Sequence, residues 1–254
     1  MTISWRSTKL AGLGVLLTTA PWLATPSAQR NQPVYPAYDG YVANADGSYT
    51  LAFGYFSHNA ETVSVPPGSA NGFSPSPGDR QQPVTFHPGH HRFQCVMVVG
   101  PDFDGNLRWT LGFAGTTTGT SERMLQSNWN LVEGAADLRR IDFAKAPKGV
   151  CLNRAPAVRI LGLRAGARGA PPTLTTAIDE RLPLFGSVED EGLPRNAPLV
   201  VTWRQIDGPG VTTFENANVA RTRARFSTPG SYLLEISATD SELADNFRVS
   251  VLVK

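Results

Sequence analysis

The stretch EDEGLPRNAPLVVTWRQIDGPGVTTFENANVARTRARFSTPGSYLLEISATD, residues 189–240, decides the fold of this chain. Side chains on an extended strand alternate between its two faces, so a half-buried strand alternates apolar and polar residues. Tyr232, Leu234 and Ile236 share one face of such a segment, and Glu235 and Ser237 share the other. This period of two predicts a β-strand with one buried face.

Working outward, neighbouring segments repeat the pattern. Arg221, Arg223 and Arg225 alternate with smaller and aromatic residues, which predicts a strand with a solvated arginine face. Val201 and Trp203 share one face of a further strand predicted over residues 199–206. Four apolar residues form an unbroken face near the end of the chain: Phe247, Val249, Val251 and Val253. Turn residues, including Asp207-Gly208-Pro209-Gly210 and Pro229-Gly230, separate these runs and favour an antiparallel sandwich.

Length and composition predict an all-β protein of two β-sandwich-like domains. The chain has 254 residues with 20 prolines and 24 glycines, which favours many turns over long helices. The expected divisions are a signal peptide (1–28), an extended lead-in (29–37), an N-terminal β domain (38–125), a linker or packed tail (126–155) and an immunoglobulin-like sandwich (156–254).

The first 28 residues have the pattern of an export signal. Arg6 and Lys9 precede an apolar run over residues 10–17, and small residues follow at 24–28. We expect cleavage near Ala28 and an exported, periplasmic, secreted or surface-associated protein without membrane insertion; a retained anchor is the alternative. Removal of these two bases leaves equal numbers of bases and acids, which argues against nucleic acid and anionic membranes as partners.

Cys95 and Cys151 are the only two cysteines. An even pair in an exported chain favours a disulfide, and two buried thiols are the alternative. A catalytic cysteine is not expected, because Cys95 lies in an apolar run without an activating base beside it.

The N-terminal half carries a hairpin signal and a proline-rich interruption. Asp46-Gly47 between two strand-like runs predicts a hairpin. Residues 66–83 hold five prolines and three glycines and are expected to form a long loop without a regular ladder. About six strands are expected over residues 38–125, and a short helical turn is considered over 131–140.

Residues 153–254 resemble an immunoglobulin-like module of the PKD type, found in bacterial secreted and surface proteins. The residues that carry the resemblance are Asn153-Arg154-Ala155-Pro156, the bend from Glu189 to Pro194, Trp203, Gly208-Pro209-Gly210, Phe214, Asn216, Phe226, Gly230 with Tyr232, and Asp240. The resemblance implies a seven-stranded sandwich that spaces, displays or binds other molecules without catalysis. Trp203 and Tyr232 are its expected core residues, and Tyr232 is a candidate tyrosine corner. More loosely, the N-terminal part resembles uncharacterised exported bacterial proteins.

Two clusters are candidate metal sites. His87, His90 and His91 place three of the four histidines within five residues, and imidazole is a good ligand for zinc or copper. His58 is a conceivable fourth ligand, whereas imidazoles that simply face solvent are the alternative. Carboxylates in the predicted loops are candidates for calcium, against the alternative of solvated loop acids: Glu189, Asp190, Glu191 and Asp240, with Asp207 nearby. No other cofactor is expected.

Exposed arginine and aromatic side chains are further candidates for ligand binding at the protein surface. The arginine face of Arg221, Arg223 and Arg225 is suited to an acidic polymer or to protection of a strand edge. Five aromatic residues are considered for stacking on sugar rings, with burial in the core as the alternative for several of them: Tyr35, Tyr38, Tyr41, Tyr55 and Phe56.

The sequence lacks the common motifs of catalysis. Gly-x-Ser-x-Gly, a phosphate-binding loop and a dinucleotide fingerprint do not occur. We therefore expect a non-catalytic protein that acts in recognition, adhesion or assembly at the cell envelope, with a protein or polysaccharide partner. The alternative is a carbohydrate-binding or polysaccharide-processing accessory protein whose ligand site lies in the N-terminal domain.

Overall fold

In the computed structural model, residues 31–120, 123–131 and 143–254 are described. The expected signal peptide lies outside this part of the chain, as does most of the helical turn considered over residues 131–140. Asn31–Lys254 form one compact unit. The proposed domain boundaries within it stay a prediction.

The first half of this unit, named here the N-terminal β region, consists of antiparallel strands of very different length. They are β1 (Val34–Ala43), β2 (Tyr49–Ser57), β3 (Val63–Ser64), β4 (Asn71–Ser74), β5 (Thr85–Phe86), β6 (Gly89–Val99), β7 (Arg108–Phe113) and β8 (Thr116–Gly119). They form one sheet in the order β1-β2-β6, a second in the order β4-β7-β8, and the pair β3-β5. The predicted hairpin is present, since β1 and β2 are joined at Asp46-Gly47. However, β1 begins at Val34, inside the expected lead-in.

The first core lies between these two larger sheets. Phe53 on β2 contacts Phe73 on β4 and Trp109 on β7, with ring centroids 5.3 and 6.4 Å apart. All three side chains are buried. Burial of large aromatic surface on facing sheets is the main force that holds such a sandwich together.

The expectation of a ladder-free loop over residues 66–83 is wrong, because β4 lies inside it and pairs with β7. Asn71 makes this possible. It is fully buried, its amide donates to the carbonyl oxygens of Val65 and Pro83, and its side-chain oxygen accepts from Trp109 Nε1 at 2.9 Å. One polar side chain thus satisfies the backbone groups that the prolines leave without a ladder partner.

The second half, named here the C-terminal sandwich, has eight strands among its described residues. They are β9 (Ala157–Ile160), β10 (Thr173–Thr176), β11 (Leu182–Glu189), β12 (Val200–Asp207), β13 (Thr212–Phe214), β14 (Arg221–Phe226), β15 (Gly230–Thr239) and β16 (Ala244–Val253). The two sheets have the orders β9-β11-β14-β13 and β10-β16-β15-β12. Short 3-10 turns occur at Ser127–Trp129, Phe143–Lys145 and Ala167–Gly169.

This strand order is that of an immunoglobulin-like sandwich. Strands β9, β11, β14 and β13 take the places of A, B, E and D, and β12, β15 and β16 take those of C, F and G. Strand β10 is the eighth, one more than the resemblance implied, and it pairs in parallel with β16. The fold is therefore all-β, with an immunoglobulin-like sandwich in its C-terminal half.

The core of the C-terminal sandwich contains both expected aromatic residues. Trp203 on β12 and Tyr232 on β15 are each 2% exposed. The Tyr232 hydroxyl donates to the Thr228 carbonyl oxygen at 2.7 Å, four residues upstream, which is the bond of a tyrosine corner. Gly208 has a φ of +152°, and a Cβ there would lie 2.3 Å from Tyr232 Cδ1, so the corner requires glycine at this position.

Candidate functional site

The disulfide expected between Cys95 and Cys151 is confirmed. It fastens the segment that follows the N-terminal β region to β6. Backbone bonds extend the same attachment: Val98 N donates to Pro147 O at 2.8 Å, and Leu152 N donates to Val96 O at 2.9 Å. The segment around Cys151 is thus packed along β6.

The N-terminal β region and the C-terminal sandwich meet at a contact named here the junction, formed by residues 84–87 and 190–192. Val84 N and Thr85 N both donate to the Glu191 carbonyl oxygen, at 2.9 and 3.2 Å. A Cβ on Gly192 would lie 2.5 Å from Val84 Cγ2, so the two backbones approach closely. The junction is therefore held by backbone hydrogen bonds as well as by packing.

His87 lies in the junction. Its Nδ1 is 2.9 Å from the Thr62 hydroxyl, and its Nε2 is 2.8 Å from the Asp190 carbonyl oxygen and 2.9 Å from the Asp190 backbone nitrogen. One tautomer donates to the carbonyl oxygen and the other accepts from the N–H. Both ring nitrogens thus have protein partners, and the imidazole is buried.

The transition-metal site expected from His87, His90 and His91 is not formed. His91 stacks on Tyr55 with centroids 4.9 Å apart and donates from Nε2 to the Pro88 carbonyl oxygen at 3.0 Å. Burial lowers the pKa of His91, which favours the neutral ring. His90 lies on the opposite face of β6 and is exposed. Because neighbouring strand residues point to opposite faces, His90 and His91 diverge.

The four calcium candidates are likewise not arranged as one site. Glu189 pairs with Arg159, and the Glu191 carboxylate accepts from the Arg154 backbone N–H at 2.7 Å. The Asp240 carboxylate accepts from the backbone N–H of Glu242, at 2.8 Å. Over residues 31–120, 123–131 and 143–254, no group of three or more His, Cys, Asp or Glu side chains could hold a metal ion.

Asp190 and Glu191 have raised pKa values. Burial raises the pKa of Asp190, and the nearby Asp240 adds to the effect. Burial raises the pKa of Glu191 to about 8, and the charge of Asp190 contributes. A carboxyl group with such a pKa in a cleft is a candidate catalytic acid. However, Glu191 is only 4% exposed, and its carboxylate and backbone both bond the protein, which assigns it to the junction.

A cleft named here the junction cleft, about 350 Å³ in volume, opens beside the junction. Its walls come from β6, from β9 with the residues before it, and from the end of β11. The arginine side chains Arg159 and Arg92, which line the cleft, each have a carboxylate neighbour. Arg159 pairs with Glu189, and Arg92 Nε lies 3.2 Å from Oδ1 of Asp39 behind it. Arg154 donates to the Phe93 carbonyl oxygen at 3.2 Å. The cleft is thus polar, with both signs of charge.

The aromatic candidates separate into core and surface. Tyr38, Tyr41 and Tyr55 are buried in the first core, whereas Tyr35 and Phe56 are each 36% exposed. Tyr35 pairs with Phe56 across β1 and β2, and Phe56 pairs with His90 across β2 and β6.

His58 completes this group. The centroid of its ring lies 4.5 Å from that of Phe56 and 5.7 Å from that of Tyr35. The ring centroids of Phe56 and His90 are 6.3 Å apart. We name Tyr35, Phe56, His58 and His90 the aromatic row. From the sequence, both histidines were considered as metal ligands or as imidazoles that face solvent, and were not grouped with Tyr35 and Phe56. The alternation Phe56-Ser57-His58 was the available signal, because it places both rings on one face.

The arginine face of β14 is exposed at all three positions, as the alternation predicts. Arg223 lies 3.5 Å from Glu215, which belongs to the segment after β13. Strand β14 pairs on both sides, with β11 and with β13, so these arginines do not protect a free strand edge.

Comparison with known proteins gives limited similarity. No model of a known protein family matches the sequence. A titin fragment, A168169, is similar with a TM-score of 0.30 and 9% identity, covering 86% of this chain and 98% of that chain. Fibronectin(III)-like modules of Clostridium thermocellum CbhA are similar with a TM-score of 0.26 and 10% identity. The similarity covers 86% of this chain and 94% of that chain.

Drosophila N-cadherin EC1-3 is similar with a TM-score of 0.30 and 11% identity, covering 89% of this chain and 68% of that chain. These TM-scores are low, so the strand order and register described above carry the immunoglobulin-like assignment. In the described part of the chain, no helix has the length and apolar character needed to span a membrane.

Proposed function

We propose that this chain is a non-catalytic exported protein that acts in recognition, adhesion or assembly at the cell envelope. The observation that carries the proposal is the aromatic row, whose four exposed rings lie together on the outer face of the β1-β2-β6 sheet. Exposed aromatic clusters on otherwise polar surfaces commonly mark interaction sites. The partner is a protein or polysaccharide of the envelope, and nucleic acid and inserted membrane are not among the proposed partners.

The framework under the aromatic row is suited to recognition, because a rigid surface loses little conformational entropy on binding. The Asp39 carboxylate on β1 accepts from the Phe93 backbone N–H on β6 at 2.6 Å, reaching across β2. The disulfide anchors β6 to the segment beside it. A disulfide also supports export, since such bonds persist in oxidising compartments. Under this proposal the C-terminal sandwich, of the PKD type, presents the N-terminal β region.

Two measurements test the proposal. The exported chain should co-sediment with an envelope fraction, and it should release no product from panels of glycan, peptide and ester substrates. Absence of envelope binding, or hydrolysis above the buffer rate, would contradict it.

A second candidate is a carbohydrate-binding or polysaccharide-processing accessory protein. The observation that favours it is that the junction cleft, lined by Glu189 and Glu191, also includes His90 of the aromatic row. A glycosidase uses two carboxyl groups that flank the bond it cleaves. Glu189 is the partly exposed one here, whereas Glu191 is buried and accepts from the Arg154 N–H, so the processing form rests on Glu189. Its processing form predicts release of reducing sugar from polysaccharide and loss of that release in Glu189→Gln. The main proposal predicts no release.

A further inference from the structure

We infer that the aromatic row is a binding site for a neutral polysaccharide, whose sugar rings stack on Tyr35 and Phe56 while their hydroxyl groups reach the adjoining polar cleft. This inference rests on the proposed recognition function and names the ligand class of that surface.

The register places the rings in a line. Tyr35, Phe56 and His90 occupy paired positions on three neighbouring strands, so the line crosses two strand spacings, or roughly 10 Å. His58 lies against both Tyr35 and Phe56. Each ring contacts another ring of the row, which supports its orientation. Such a line offers consecutive apolar contacts to an extended chain of rings.

The rest of the same face is already covered. Ala52, Phe93 and Val96 pack there against Leu131 and Phe143, together with Ala146 and Leu152. The rings of Phe93 and Phe143 lie 6.1 Å apart. The aromatic row lies beyond this covered part, where Tyr35 and Phe56 keep about a third of their surface exposed. Among the residues that the structure describes, the molecule thus buries one end of the sheet face with its own chain and leaves the other end exposed.

Small residues lie next to the aromatic row. Ala37 and Gly54 are paired neighbours on the same face, one step further along β1 and β2. The Asp39–Arg92 pair follows, with Arg92 exposed. Gly54 is buried beneath the Asp39 carboxylate and the β6 backbone, so the exposed guanidinium of Arg92 is a polar group that borders the row on this side.

The charged side chains beside the aromatic row favour a ligand that is neutral and rich in hydroxyl groups. His90 and Arg92 also line the junction cleft, so the row continues into it. Arg92 and Arg159 are exposed and Glu189 is partly exposed, which offers both donors and an acceptor for hydroxyl groups. An acidic polymer would meet the Glu189 carboxylate as well as the guanidinium groups. A sugar chain combines an apolar ring face with hydroxyl edges and fits both parts of the surface.

The test is native affinity electrophoresis of the exported chain in gels that contain laminarin, hydroxyethyl cellulose, galactomannan or dextran, with alginate as the acidic polymer. The test variant is Tyr35→Ala with Phe56→Ala. The matched control is Phe185→Ala, which removes a ring that is 53% exposed on β11 of the C-terminal sandwich. Thermal melting of each variant verifies folding.

We expect at least one neutral polysaccharide to retard the wild type and Phe185→Ala alike. The double variant should remain folded and bind it roughly tenfold more weakly. Retardation that survives in the folded double variant overturns the site, and retardation by alginate alone overturns the ligand class.

No retardation in any gel, with co-sedimentation on envelope retained, overturns the inference but not the recognition function; such binding would then point to a protein partner. Loss of envelope binding as well contradicts the proposed function itself.

Discussion

The carboxylate of Asp39 accepts a hydrogen bond from the Phe93 backbone N–H at 2.6 Å, from the opposite side of β2. The chain of β2 passes between them as Gly54, where a Cβ would lie 2.7 Å from Asp39 Oδ2 and 2.4 Å from the His91 carbonyl oxygen. This hydrogen bond joins two positions at which the strand register shifts, Asp39 on β1 and Phe93 on β6. It fixes the part of the sheet that bears the aromatic row.

Gly54→Ala should therefore destabilise the protein by about 1–3 kcal/mol, because backbone atoms must move to admit one methyl group. Gly78→Ala is the matched control, since its Cβ would lie 3.4 Å from the nearest atom, in ordinary contact. Urea denaturation measures both. Equal stability of the two variants would show that the crossing at Gly54 is not tight.

His87→Ala should lower the free energy of unfolding by about 1–3 kcal/mol, because the buried backbone of Asp190 loses its partner and the Thr62 hydroxyl loses its bond to the ring. His58→Ala removes an exposed ring and should change stability by about 0.5 kcal/mol or less. Chemical denaturation of the two variants provides the comparison. A similar small effect at both positions would contradict a structural role for the His87 imidazole.

Glu191→Gln should change how stability depends on pH. The pKa of Glu191 is about 8 in the folded protein and 4.5 for an unperturbed glutamate, so the folded state holds the proton more strongly. This contribution to stability is complete below pH 4.5 and is lost as pH rises to about 8.

Glutamine keeps the acceptor for the Arg154 N–H without a titrating group. One pKa unit corresponds to about 1.4 kcal/mol. As pH is raised from acidic to mildly alkaline, the free energy of unfolding of the variant should therefore increase by about 2 kcal/mol or more relative to that of the wild type. Thermal denaturation across this range measures it, with Glu61→Gln at an exposed position as the control. Parallel pH profiles for Glu191→Gln and the wild type would refute the assignment.

Removal of the disulfide by Cys95→Ser with Cys151→Ser should cost about 4 kcal/mol in the chain-entropy model. The bond closes a loop with a sequence separation of 56 residues. Denaturation of the double variant should match that of the reduced wild type. A loss in the variant much larger than that caused by reduction would mean that the serine hydroxyls disturb the core.

Tyr232→Phe should destabilise the C-terminal sandwich by about 1 kcal/mol, because the Thr228 carbonyl oxygen loses its donor while the ring stays in place. Tyr35→Phe, at an exposed ring, is the matched control and should have little effect on stability. Unfolding monitored by tryptophan fluorescence reports both, since Trp203 lies in the same core as Tyr232 and Trp109 lies in the core of the N-terminal β region that holds Tyr35. No difference between the two variants would argue against a tyrosine corner.

The sequence by itself determined four strands of the C-terminal sandwich, β12, β14, β15 and β16, together with the burial of Trp203 and Tyr232 and the exposed arginine face. These features follow from alternation and turn residues, which act within a few positions along the chain. The pairing of Cys95 with Cys151 could also be anticipated, because the chain has only two cysteines.

Only the tertiary structure decided which polar and aromatic residues meet. It separated His90 from His91 onto opposite faces, placed His87 against Asp190, and gathered Tyr35, Phe56, His58 and His90 into one row. It also showed that β4 forms within a proline-rich segment, where the buried Asn71 side chain donates to the carbonyl oxygens of Val65 and Pro83. The physical reason is that these contacts depend on strand order, register and irregular pairing between segments distant in sequence, which local alternation does not encode.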